Sequence, residues 1–318
     1  MSAAETIGVD LGGTKMLIGV LNGTDVRYES REASTGQSED ELVELLVREV
    51  SEAKEARPNA AAVGLGIPAT IDHDAGVAVS AVNLPLDDLP IRGLVSERVG
   101  LPVFVDNDGN VAALAEYLYG AAQGKPNTVM LTVGTGIGGG LVLGGQIYRG
   151  ATGAGAELGH TVIQADGPPC QGNCPNHGCV EALASGTALG REGLAVAEST
   201  PDSALGKLLA AGETIDGRAV TVAALDGDET AIGVFELIGS RLGVACSSFA
   251  NIFQPDAIVV GGGVIAAGDL LLDPARREMR RRALNPMNAT PILEATLGND
   301  AGMIGAAAMA RTELERGA

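Results

Sequence analysis

Residues 9–23 read VDLGGTKMLIGVLNG, and residues 131–145 read LTVGTGIGGGLVLGG. Sliding one onto the other by 122 positions lays Gly12 on Gly134, Val20 on Val142 and Gly23 on Gly145. Each stretch reads as a strand, a glycine turn and a second strand, with apolar runs bounded by turn residues. An echo at this distance predicts two halves built on one plan of three strands and a helix, facing each other across a cleft. The competing reading is that two β-hairpins with glycine turns resemble each other by chance.

Outward from the first copy, DVRYESREAS (25–34) reads as a third strand. Ser38 and Glu41 then form a capping box that opens a helix through about Ala56, with Leu42, Leu45, Leu46 and Val50 on one face. AAVGLGIPAT (61–70) predicts a buried strand ending in a turn, and PVFVDND (102–108) a strand running into a helix that begins near Gly109 or Asn110. Beyond the second copy come a helix over roughly 229–253, the strand DAIVVGGGV (256–264) and an Ala-rich closing helix, Ala301–Arg311. There is no low-complexity tract or charge block. The expected organisation is a smaller α/β half over 1–118, onto which the closing helix packs back, and a larger one over 119–300, with a hinge near Tyr117–Gly124.

The bulk numbers narrow the function. At 318 residues and 46% hydrophobic, the chain can build two cores. A formal charge of −19 argues against nucleic-acid binding, which uses basic patches. No uninterrupted apolar run suggests a bilayer span or a signal peptide, so a cytoplasmic protein is expected, with reduced thiols. An acidic protein that takes an anionic ligand does so locally, with backbone N–H groups and a divalent cation.

Four motifs offer such chemistry. DLGGTK (10–15) puts two glycines in a turn where backbone amides can nest an oxyanion, and Asp10 beside that anion makes sense with Mg²⁺ between them. GTGIGGG (134–140) is the equivalent turn of the second copy; by itself either motif is equally a plain hairpin turn. Neither is a Walker A loop nor a dinucleotide fingerprint, because a strand follows rather than GK[ST] or a helix. VVGGGV (259–264) lets backbone pass close to a flat ligand, or makes a tight strand-to-helix turn. VDNDGN (105–110) places Asp106, Asn107 and Asp108 at the carboxyl end of a strand, where ligands bind in α/β sheets. There one aspartate can take a proton from a hydroxyl while another residue caps the helix.

A cysteine-rich segment, CQGNCPNHGCVE (170–181), holds three of the chain's four cysteines and is flanked by AELGH (156–160). Glu157 and His160, three apart, share a face if this stretch is helical, and with Glu181 they form acceptors suited to a polyhydroxylated ligand. The spacing C-x₃-C-x₄-C can wrap a tetrahedral ion; free thiols or a disulfide are the alternative. Cys246 stands alone in an apolar helical stretch and reads as core packing.

Taken in order, DLGGTK, GIPATID (66–72), NLP (83–85), VDNDGN, GTGIGGG, AELGH, the cysteine cluster ending in GCVE, and VVGGGV resemble the ROK family, over about residues 6–310. The resemblance implies an α/β, two-lobed, actin-like ATPase fold with RNase-H-like lobes and a hinged cleft. It implies an ATP-dependent kinase that phosphorylates a hexose at the 6-hydroxyl, with glucose the expected substrate. The alternatives are another hexose or an N-acetylhexosamine (fructose, mannose, N-acetylmannosamine), or a sugar-responsive transcription regulator. Regulators of this family carry a winged helix before the first motif, whereas nine residues precede Asp10. In the implied site, ATP with Mg²⁺ meets Asp10, Gly12, Gly13, Thr14 and Lys15 on one turn and Gly134, Thr135 and Gly136 on the other, with adenosine near Gly261, Gly262 and Gly263. Asp108 is the implied general base, and Asn83, Asn107, Glu157, His160 and Glu181 hold sugar hydroxyls. A structural zinc on His160, Cys170, Cys174 and Cys179 is implied as well, and a homodimer or homotetramer as the assembly. Two departures stand out. Cys170 and Cys174 are four apart where the family has two, which makes His177 a rival fourth ligand, and Ala69 stands where glucokinases often carry glycine.

Overall fold

The opening hairpin pairs β1 (Thr6–Leu11) with β2 (Lys15–Asn22) antiparallel, from Thr6 opposite Leu21 to Leu11 opposite Met16. The structure, a computed structural model, describes residues 4–81 and 83–317. Chain packing divides it into two units, Met1–Pro126 with Gly140–Ala156 and Leu297–Ala318, and Asn127–Gly139 with Glu157–Thr296.

In the first unit β2 also pairs with β3 (Asp25–Ala33). Helix α1 (Glu39–Ala56) follows, and the Ser38–Glu41 capping box is formed in both directions. β4 (Val63–Ile67) runs parallel to β1. The expected strand over 61–70 is in fact two: Pro68 has no N–H to continue the ladder, and β5 (Ala69–Asp72) turns away into a small sheet with β6 (Val77–Ala81) and β7 (Asp87–Leu89). After α2 (Ile91–Val99), β8 (Val103–Asn107) lies parallel to β4 and leads into α3 (Asp108–Tyr119). The main sheet has the order β3-β2-β1-β4-β8.

The chain then builds β9 (Thr128–Val133) and β10 (Ile137–Leu143), which leaves the second unit at Gly139, and the short β11 (Gln146–Ile147). The second unit continues through α4 (Val180–Ala184), α5 (Gly186–Ser199), α6 (Ala204–Ala210), α7 (Gly217–Leu225) and α8 (Glu229–Phe253). β12 (Ala257–Gly261), α9 (Asp269–Arg282) and β13 (Ile292–Glu294) complete it, and α10 (Ala301–Gly317) closes the chain in the first unit. The second sheet has the order β11-β10-β9-β12-β13, with β12 parallel to both β9 and β13. Strand for strand this is the order of the first sheet, so the repeat heard in the sequence is a repeat of topology. The α/β class is the one expected.

α8 is long and apolar enough to cross a membrane by length and composition. It packs instead against α9, α4, α5 and α7, with Phe235 and Phe249 fully buried. Cys246 lies on its buried side, and burial pushes the thiol up to about 12, in keeping with a packing role.

α10 lies against β1, β4 and α3 with backbone almost touching backbone. A β-carbon at Gly64 of β4 would come within 1.9 Å of the Ala306 carbonyl oxygen, and one at Gly305 within 1.8 Å of the Val111 oxygen. Glycine is therefore a packing requirement at both positions. We expect Gly64→Ala to destabilise the fold by roughly 2–3 kcal/mol in chemical denaturation, as overpacking does. Gly93→Ala, in α2 with nothing within 4 Å of the added carbon, should instead be neutral or stabilise by about 0.5 kcal/mol.

Candidate active site

Parallel pairing of β1, β4 and β8 sets Asp10 beside Gly66, and Gly66 beside Asp106, near the carboxyl ends of the strands. The chain turns into α3 immediately afterwards. Asn107 is the cap of that helix: its Oδ1 accepts from the Gly109 amide at 2.9 Å and the Asn110 amide at 3.4 Å, while its Nδ2 donates to the Ala69 carbonyl at 3.3 Å. The helix thus begins at Asp108, one residue before the expected start, because the Asx cap sits at 107.

The two aspartates flanking Asn107 have different surroundings. Asp106 is buried, and both its oxygens are taken. Oδ1 accepts from the Asn107 amide and from Asn110 Nδ2, each at 2.8 Å, and Oδ2 accepts from Arg149 Nε at 2.6 Å. Asp108, by contrast, has no cationic partner among the ion pairs of the described residues; its Oδ1 accepts from the Gly109 amide at 2.9 Å. Burial pushes its carboxyl above the usual range, and hydrogen bonds from the backbone and Asn107 oppose that shift. Asp10 is pushed up to about 6, first by burial and then by the negative charge of Asp108, with Lys15 pulling the other way. Its carboxyl lies against the first turn of α10, where a β-carbon at Gly302 would be 2.6 Å from Asp10 Cγ. Two facing carboxylates at the end of a sheet attract either a proton or a cation.

The turn between β1 and β2 is braced from below. Gly12 donates its amide to the Lys15 carbonyl at 2.9 Å, and Ser34 Oγ donates to the Gly12 carbonyl at 2.6 Å. Gly12 therefore spends its own N–H on the hairpin. Asn83 sits beside this turn, 3.1 Å from where a Gly13 β-carbon would be.

In the second unit, the turn between β9 and β10 is stapled to the start of α5. The Gly134 carbonyl accepts from the Gly186 amide at 2.7 Å, and the Thr135 carbonyl accepts from Thr187 Oγ1 at 2.8 Å. These residues border a cavity of about 810 Å³ that Leu194, Ile215, Val264 and Gly263 also line. Gly262 follows β12 at φ 90°, where a β-carbon would meet the Val133 carbonyl at 2.5 Å, so only glycine fits. The small-residue run ASGT (184–187), which contains the capping Ser185, is the available sign of this helix start.

The cysteine segment folds back on itself, with Val162 bridging Cys179 and Pro169 bridging His177. This brings ligand atoms of His160, Cys170, Cys174 and Cys179 within 4.8 Å of one another. Cys170 Sγ lies 3.5 Å from His160 Nδ1, and Cys174 Sγ 3.9 Å from Cys179 Sγ, with no disulfide. A tetrahedral zinc with Zn–S of about 2.3 Å and Zn–N of about 2.05 Å asks for S···N near 3.6 Å and S···S near 3.8 Å. The donor set fits a metal ion. His177 lies outside the group; it is exposed, with Nδ1 3.2 Å from the Gly167 oxygen. Because His160 faces the sulfurs with Nδ1, its Nε2 is turned to Glu157 Oε2, 4.0 Å away. Glu181, in the first turn of α4, accepts from the Ile137 amide at 2.8 Å, and its other oxygen is 3.8 Å from Cys170 Sγ. One loop thus ties Glu157, His160 and Glu181 to the β9–β10 turn.

Two sheets of identical strand order, each with a glycine turn between its first two strands, define a duplicated RNase-H-like α/β ATPase fold. The ROK family pattern matches residues 6–313, and the chain belongs to that family. It is 36% identical over 312 residues to a glucokinase of Streptomyces coelicolor, covering 96% of this chain and 97% of that one. It is 32% identical over 318 residues to a glucokinase of Thermotoga maritima, covering 99% of each. Among solved structures it resembles a ROK family glucokinase from Streptomyces griseus in complex with glucose and AMPPNP, at a TM-score of 0.84 and 36% identity, over 97% of this chain and 99% of that one.

Two outcomes test this geometry. The Asp10 carboxyl is raised from 3.8 to about 6, so the folded state holds its proton over a range where the unfolded chain has lost it. Stability from this group is present below pH 3.8 and is lost as pH rises toward 6. Asp10→Asn should therefore melt above the parent by a margin that grows from about pH 4 to 6.5 and is flat beyond, read by thermal scans without added divalent cation. For the cysteine loop, elemental analysis should find one zinc per chain, and Cys174→Ser or a strong chelator should remove it and lower Tm by several degrees, roughly 1–3 kcal/mol.

Proposed function

We propose that this protein is an ATP-dependent hexose kinase that converts glucose to glucose 6-phosphate, with Asp108 as general base. The observation that carries the reading is the contrast at the β8–α3 turn: Asp106 is fully engaged, while Asp108 keeps a carboxylate made more basic by burial. Near-full-length similarity to glucokinases supports the acceptor sugar.

In this mechanism the 6-hydroxyl oxygen attacks the γ-phosphorus, the bond to the β–γ bridging oxygen breaks, and ADP leaves. The hydroxyl proton passes to Asp108 and then to solvent. A raised pKa suits that task, because a base that binds its proton more tightly removes it more readily from an alcohol. Asn83, Asn107, Glu157, His160 and Glu181 are assigned to the sugar hydroxyls. His160 can serve twice, since Nδ1 faces the sulfurs and Nε2 faces Glu157. The turn at 12–15 and the turn at 134–136 are assigned to the phosphates, and the cavity beside Gly263 to the adenosine. Mg²⁺ beside Asp10 would neutralise charge on the transferring phosphate, the main electrostatic demand of phosphoryl transfer. Zinc on the Cys₃His set would act as a brace that orients His160 and Glu181, and reduced thiols suit a cytosolic enzyme.

An ADP-release assay across glucose, mannose, fructose, N-acetylglucosamine and N-acetylmannosamine tests the acceptor: glucose should give the highest kcat/KM, and a higher value for an N-acetylhexosamine would reassign it. Asp108→Asn should lower kcat by about 10³-fold or more, while glucose affinity by calorimetry changes only a few-fold. Near-parental turnover by this variant removes Asp108 as the base.

A further inference from the structure

We infer that Arg149 is a positioning residue for phosphoryl transfer, holding through Asp106 the β8–α3 turn that carries Asn107 and Asp108. The inference rests on Asp108 acting as base.

Asp106 is the centre of that turn. One of its oxygens fixes the Asn107 amide and the Asn110 side chain, so it sets both the residue before Asp108 and the first turn of the helix that begins there. A buried carboxylate needs a countercharge, and among the described residues Arg149 is the cation paired with it. The contact uses Nε at 2.6 Å and leaves the guanidinium end near Glu313 of α10, 3.7 Å from Nη2.

Arg149 is itself held firmly. Its carbonyl accepts from the Gly155 amide at 2.9 Å, closing the 149–155 segment into a tight loop. That loop rests on β5, where Gly153 at φ 83° has no room for a β-carbon, the nearest atom being the Ile71 carbonyl oxygen at 1.7 Å. β5 also supplies the Ala69 carbonyl that receives Asn107 Nδ2. The arginine and the cap of α3 are thus referenced to the same strand. The other charges facing this turn are Asp108 on α3, Asp10 on β1 with Lys15 on β2, and Glu313 on α10. Arg149 is the one whose removal leaves Asp106 buried and uncompensated. The turn then has to shift toward solvent to relieve that charge, which displaces Asp108. Displacements of this kind cost about 10–100-fold in rate when they reach the reacting groups.

The test compares Arg149→Met, Arg149→Lys, Asp106→Asn, the Arg149→Met/Asp106→Asn pair and Asp108→Asn in one coupled assay. We expect Arg149→Met to lower kcat by about 10–100-fold with the KM for ATP within about threefold, and Arg149→Lys to recover part of the loss. The double variant should be no slower than Arg149→Met, because both act through one contact. Multiplicative losses in the double variant, or parental kcat in Arg149→Met, would overturn the inference. If Arg149→Met does not yield folded protein, Arg149→Lys is read alone: a several-fold loss of kcat at unchanged Tm supports the inference, and parental kcat sinks it. An active Asp108→Asn would instead mark the failure of the base assignment.

Discussion

The close contact of α10 with the β1–β4 face is the constraint on which the first unit depends. At Gly64 and Gly305 no side chain stands between helix and neighbour, so carbonyl oxygens lie where β-carbons would be. Such packing excludes larger residues and fixes the helix in one position. The same helix buries the face of β1 and β4 that ends in the acidic row, and its first turn abuts the Asp10 carboxyl at Gly302. Tight apolar packing and the electrostatics of the site are therefore one arrangement.

Within that row the carboxylates divide their roles by environment. Asp106 is saturated by two N–H donors and a guanidinium, so its charge belongs to the architecture. Asp10 and Asp108 are half-buried with weaker compensation, and partial desolvation raises the pKa of each. A carboxylate raised by burial is useful chemically because the protein has withheld the solvation that would make it a poor base. Two carboxylates that raise each other's proton affinity also suit a cation, since a divalent ion would relieve the repulsion between them.

The cysteine loop works by convergence. Three sulfurs and one imidazole nitrogen draw together residues far apart along 160–179, and the loop delivers His160 and Glu181 to fixed positions. Between Cys170 and Cys174 the chain is exposed at Gly172 and Asn173, and the ligand atoms of His160, Cys170, Cys174 and Cys179 still lie within 4.8 Å of one another. His177 is adjacent in sequence yet faces outward, because the Pro169–His177 bridge directs it to the Gly167 carbonyl.

Much was legible in the sequence, since it rests on local rules. Alternating apolar runs and glycine turns gave the two hairpins and their repetition, and the capping box at Ser38 placed α1. Motif order pointed to the family and to the candidate residues. Other features depend on groups distant in the chain. Period and propensity carry no sign that Arg149 meets Asp106, that Ser34 braces Gly12, or that Gly186 and Thr187 hold the second turn. Nor did local pattern separate Asp106 from Asp108, two aspartates in one tetrapeptide. Their difference comes from which neighbours reach each carboxylate, and that is a property of the folded chain alone.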